Sequence, residues 1–156
     1  MADRILVAFD DSENALRAVE YVANMFKKDL QITLFSVLPD TASLCDMNSP
    51  SLTPYFKEKQ AIFCSLEDQK RDLVDEALGK AKKILLKAGF KERDITFKVQ
   101  TKKQGVVRDI INEAQAGFDT IVLGRRGLSG IRDFIFGGVS QKLLHLARDI
   151  SVIVVD

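Results

Sequence analysis

Among 156 residues the chain has no tryptophan, one histidine, two cysteines and three prolines. A lone histidine and the lack of any Cys-x-x-Cys leave no metal-ligand spacing. Cys45 and Cys64 are therefore read as free thiols of a reducing compartment. No apolar run approaches the ~20 residues that a membrane helix requires. The opening MADRILVAFD has neither the basic start nor the long apolar stretch of a signal peptide. The expectation is a cytoplasmic protein with no membrane partner. Charge of one sign is not in excess either: 23 Lys and Arg stand against 22 Asp and Glu, for a net charge of +1. A nucleic-acid binder relies on a basic excess to displace counter-ions from phosphates, so no nucleic-acid partner is expected. What remains, 46% apolar and 29% charged residues, is the composition of a globular chain, and the length suits one domain over residues 1–156.

The order of elements can be read from the apolar pattern. Residues 4–10 (RILVAFD) and 31–37 (QITLFSV) are short continuous apolar runs, as in strands buried on both faces. Between them Asp11 and Ser12 can cap a helix whose inward positions are Ala15, Leu16, Val19, Val22, Ala23 and Phe26. All three prolines (Pro39, Pro50 and Pro54) fall in the next stretch. They mark a loop insertion at about 39–65, with residues 39–55 irregular and a helix beginning between Phe56 and Leu66. That long helix has an apolar stripe of Leu66, Leu73, Val74, Ala77, Leu78, Ala81, Ile84 and Leu85. Gly89 stands at its C-cap. Residues 95–101 alternate apolar and polar, as in an edge strand. A helix over 105–116, a wholly apolar strand over 120–123, a helix over 140–147 and a last strand, Ser151 to Val155, complete the chain. Strands alternating with helices predict an α/β fold, a doubly wound five-stranded parallel sheet with helices on both faces.

Ligands of such sheets sit beyond the carboxyl ends of the strands, where the strand order reverses. Asp10 ends the first strand and Gly124 the fourth, so this pair marks the place to look. After it the sequence reads GRRGLSGIRDFIFGGVS. Gly124 and Gly127 can turn the backbone so that N–H groups approach an anion. Gly137 and Gly138 lead into a helix whose first turn has unpaired N–H groups for phosphate. Arg125, Arg126 and Ser140 can add charge and a hydroxyl. Glycines between a strand and a helix also serve as plain turn residues, and the pattern alone leaves both readings open. There is neither a GxxxxGK[ST] motif nor a GxGxxG fingerprint.

Gly124-x2-Gly127-x9-Gly137 resembles the signature of the universal stress protein family, G-x2-G-x9-G-[S/T]. The opening ILVAFDDSENALRAVEYV resembles that family's first strand and helix, and VSQKLLHLARDISVIVVD its last helix and strand. The resemblance extends over nearly all of the chain outside the 39–65 insertion. It implies the adenine nucleotide alpha hydrolase-like variant of the Rossmann-like fold. It further implies that Ala8 and Asp10 contact a nucleoside and that backbone at Val37 and Leu38 meets adenine. Gly124, Arg125, Arg126 and Gly127 would run along ribose and phosphates, and Gly137, Gly138, Val139 and Ser140 would hold phosphates. Two positions depart from the pattern. Gly138 stands where the signature has Ser or Thr, and Asp11 where many members have Gly. The second adds negative charge beside the expected phosphates.

The expected function is a stress-response regulator binding ATP, with Mg²⁺ only through the phosphates. The expected partner is a second copy, joined through the C-terminal strand Ser151–Val155. A nucleotide-free homodimer acting as an interaction protein is the alternative, and a slow ATPase ranks third, because no water-activating residue stands out. No catalytic residue and no metal ligand is assigned. Ser12 is read as a helix cap, and His145 as a surface or core residue.

Overall fold

The computed structural model describes residues 3–38, 54–125 and 138–156. In chain order these form β1 (Arg4–Ala8), α1 (Glu13–Met25), β2 (Gln31–Leu38), α2 (Pro54–Ala88) and, after a short 3-10 turn at Glu92–Asp94, β3 (Ile95–Thr101). Then follow α3 (Val106–Ala114), β4 (Thr120–Gly124), α4 (Gly138–Leu146) and β5 (Ser151–Val155). The five strands make one parallel sheet in the order β3-β2-β1-β4-β5. The doubly wound α/β architecture read from the sequence is the one observed.

Side chains alternate across each strand, and the two faces collect different helices. Ile5, Val7, Ile32, Leu34 and Val122 pack with Ala18, Val19 and Val22 of α1 and with Val74, Ala81 and Leu85 of α2. Leu6, Ala8, Phe35, Ile121 and Leu123 pack on the other face with Val107 and Ile110 of α3 and Leu143 of α4. Central strands are covered twice, which is why β1 and β4 need unbroken apolar runs. The edges β3 and β5 are only partly covered.

Local chemistry sets several boundaries. The Ser12 hydroxyl accepts the N–H of Ala15 at 3.1 Å and caps α1. Gly89, at φ +108°, ends α2 in the left-handed region that L side chains avoid. Glu76 and Lys80 form an i,i+4 ion pair at 3.6 Å. Three expectations need correcting. Helix α2 starts at Pro54, ahead of the Phe56–Leu66 window, because a proline is tolerated in a first helical turn, where its missing N–H would have no partner. Leu73 lies outside the buried stripe at 49% exposure, while its neighbour Val74 turns inward. Cys64 is disulfide-bonded rather than a free thiol. Thiol pairing is decided by geometry, which cannot be read from the compartment, and the early start of α2 puts Cys64 on a helix. The chain's other cysteine, Cys45, lies outside the described residues.

Candidate functional site

The strand order reverses between β1 and β4, which leave toward opposite halves of the sheet. The turn after β1 is tightly fixed. The Phe9 N–H donates to the Phe35 carbonyl at 2.8 Å, and the buried Ser36 hydroxyl donates to the Phe9 carbonyl at 2.7 Å. Asp10 follows, 7% exposed. Its Oδ1 accepts the Ser12 N–H at 2.8 Å. Burial pushes the Asp10 carboxyl above its ordinary value of 3.8; Ser12 pulls it back, Asp11 pushes it up, and Lys70 pulls it down.

Asp11 is not an unbalanced charge. Lys70, reaching over from α2, donates to its Oδ1 in an ion pair. The sequence reading missed Lys70, since a lysine 59 positions away on a charged helix carries no local signal.

On the β4 side, Gly124 is the last residue of the strand. A Cβ there would stand 2.5 Å from the backbone carbonyl oxygen of Asn14, in the first turn of α1. This glycine lets α1 approach β4, a packing reason that the glycine pattern did not disclose. Arg125 extends the β5 pairing, its N–H donating to the Val155 carbonyl at 2.8 Å, and its guanidinium meets the Asp156 carboxylate at 3.1 Å. Ser140, 2% exposed, donates to the Arg125 carbonyl at 3.2 Å, with the Gly124 carbonyl at 3.5 Å. Its hydroxyl thus ties the start of α4 to the end of β4. Val139 is partly buried at that helix start.

The other expected residues are distributed as follows. Ala8 is buried and pairs with Phe35 and Leu123. Val37 is partly buried; Leu38 is buried, and its carbonyl accepts the Lys102 N–H at 2.7 Å. Arg126, Gly127 and Gly137 lie outside the described residues. Gly138 opens α4.

A second buried carboxylate escaped the sequence reading. Asp109, on α3 and 2% exposed, accepts the N–H groups of Lys103 and Gln104 at 2.8 and 3.1 Å. Its signal was an acid one turn after a helix-opening glycine, folding back on the preceding loop. A cavity of about 860 Å³ lies between the start of α3 and one face of α4, lined among others by Gly105, Arg108, Val139, Lys142 and His145. Of the expected site residues within the described part, only Val139 borders it. Among the described residues no group of three or more His, Cys, Asp or Glu side chains could hold a metal ion. No helix there is long and apolar enough to cross a membrane.

A doubly wound parallel sheet in the order β3-β2-β1-β4-β5 defines a Rossmann-like α/β fold. The family description "Universal stress protein family" matches residues 1–156, and the chain belongs to that family. Solved structures with similar folds include universal stress protein UspA from Lactobacillus plantarum, 20% identical, with a TM-score of 0.72 over 99% of this chain and 97% of that one. A universal stress protein from Archaeoglobus fulgidus is 18% identical, with a TM-score of 0.64 over 100% and 99% of the two chains. A universal stress protein in complex with cAMP is 17% identical, with a TM-score of 0.64 over 99% and 97%. No curated protein matches the chain.

Proposed function

We propose that the chain is a cytoplasmic stress-response regulator that binds an adenine nucleotide, ATP foremost, beyond the carboxyl ends of β1 and β4. The observation that carries this reading is Asp10. It is a buried carboxylate at the switch point with a raised pKa, and among the described residues only Ser12 donates to it. A carboxylate so placed gains from a donor brought by a ligand, such as a nucleoside N–H or hydroxyl. The cAMP complex of a relative with the same fold supports an adenine ligand.

On this reading the expected residues would meet the ligand as follows. Ala8 and Asp10 would face the nucleoside, and backbone at Val37 and Leu38 the adenine edge. Gly124, Arg125, Arg126 and Gly127 would follow ribose and phosphates. Gly137, Gly138, Val139 and Ser140 would bring the first-turn N–H groups of α4 to a phosphate. Because the Ser140 hydroxyl is engaged with the Arg125 carbonyl, backbone donors would do this work in place of the signature hydroxyl that Gly138 lacks. Mg²⁺ would be held through the phosphates. Binding with little turnover is expected, since among the described residues no general base or nucleophile has been assigned beside Asp10.

The test is mass analysis of nucleotide released on denaturing the purified protein, followed by calorimetric titration with ATP, ADP and cAMP. Saturable binding lost on Gly127→Val or Gly137→Val is expected. No released nucleotide and no heat at millimolar ATP would refute the reading, and efficient multiple-turnover hydrolysis would refute the regulator.

A second reading, a homodimer joined through Ser151–Val155, has its own observation. Among the described residues β5 is an edge strand pairing only with β4, and Val152 to Val155 are partly exposed. Such an edge invites a second chain. Ile153→Asp or Val154→Asp should yield monomers by sedimentation; a dimer unaffected by either would exclude this interface.

A further inference from the structure

We propose that Lys70 is the counter-ion that makes the β1–α1 turn receptive to an anionic ligand. The inference rests on reading that turn as part of the nucleotide site. Asp10 and Asp11 are consecutive carboxylates, and among the described residues only Asp11 forms an ion pair. Lys70 donates to Asp11, with side-chain exposures of 42% for the lysine and 24% for the aspartate, so the pair is only partly shielded by water. The same lysine also draws the Asp10 titration downward, against the upward push of Asp11. All three charges therefore act on one another at the end of β1.

The turn is also close to where the glycine segment leaves the sheet. Asn14 touches the position of a Gly124 Cβ, and three residues of chain, at most about 11 Å when extended, separate Asp11 from Asn14. A carboxylate so near the end of β4 would repel a phosphate bound there, because charges are only partly screened over a length of ~10 Å at 0.1 M salt. Lysine is a compact, strongly hydrated point charge on a flexible stem. Held by Asp11, it cancels that repulsion without closing the site. After Asp10 this chain thus has a second charge and, from α2, its compensation.

The experiment is calorimetric titration of ATP into the full chain and its K70Q, K70R, D11N and D11N/K70Q variants, at low and high salt. K70Q should weaken ATP binding about tenfold at low salt and less at high salt, as for a partly screened charge. D11N alone should tighten binding. The double variant should return to within about twofold of the wild type, and K70R should match it. Thermal melting identifies any variant that fails to fold, and K70R with D11N then decides the matter. Wild-type affinity in K70Q, or a double variant as weak as K70Q, would overturn the role of Lys70 while leaving the nucleotide site standing. A wild-type chain that binds no adenine nucleotide would overturn the site and this inference together, before any variant is read.

Discussion

Two aspartates are buried at the same end of the sheet, and they are not treated alike. Asp109, before α3 is fully under way, has two backbone N–H donors and is 2% exposed. Asp10, after β1, is 7% exposed, has donors only from Ser12 among the described residues, and is pushed toward its neutral form by burial. The first arrangement is complete within the chain, because a carboxylate that accepts two amide donors repays its desolvation. The second leaves acceptor capacity unused in a dry place. On the proposed reading the first acid is structural and the second is kept for a ligand.

The largest expected effect tests the structural half of that contrast. Asp109→Ala removes the acceptor for Lys103 and Gln104 and leaves their N–H groups without it. Two charge-assisted bonds suggest a loss of about 3 kcal/mol, read as a lower urea midpoint with unchanged slope. ATP affinity of the folded fraction should stay the same. A stability within experimental error of the wild type would erase the distinction.

Next comes the wall between β4 and α1. Gly124→Ala puts a Cβ 2.5 Å from the Asn14 carbonyl oxygen, so α1 must shift, at about 1–3 kcal/mol by analogy with overpacked cores. Because Asp10 and Ser12 lead into that helix, stability and nucleotide affinity should fall together. Separation of the two readouts would show that the β1–α1 turn is not positioned by this contact. Ser12→Ala is a gentler probe, losing one N-cap at about 1 kcal/mol in chemical denaturation, and raising the pKa of Asp10 by removing a lowering partner.

Elements dictated by local pattern were legible in the sequence. The apolar runs of β1, β2 and β4, the stripe of α1, the Ser12 cap and the Gly89 stop all encode their roles within a few residues. The features at the site depend on distant groups. Lys70 meets Asp11 across 59 positions. Asn14 decides what Gly124 is for, and Ser140 spends its hydroxyl on Arg125 rather than leaving it for a ligand. Asp109 carries no mark that sets it apart from other helix charges; its loop partners decide its role. The start of α2 and the pairing of Cys64 were missed for the same reason, since neither is decided by local composition. The switch point was predictable because topology follows from alternation of strand and helix, whereas the electrostatic balance at it follows from tertiary packing.

The smallest expected effect on stability at neutral pH, and the sharpest on the contrast, belongs to Asp10→Asn. The amide keeps an acceptor for the Ser12 N–H and removes the charge that burial disfavours, two changes that oppose each other. The pH dependence separates them. Asp10 has a folded pKa above its ordinary value of 3.8, so between that value and the raised one the folded state holds more protons than the unfolded state. Stability from this group is fully present below about pH 3.8 and declines as pH rises through the folded pKa. The asparagine variant lacks that decline. Its stability relative to the wild type should therefore increase with pH across the window and level off above it, as measured by urea unfolding over a pH series. Saturating ATP should reverse the order at neutral pH, because only the carboxylate can accept a ligand donor as an anion. Should the relative stability instead be flat with pH, Asp10 would be as well satisfied within the chain as Asp109, and the difference between the two acids would lose its functional meaning.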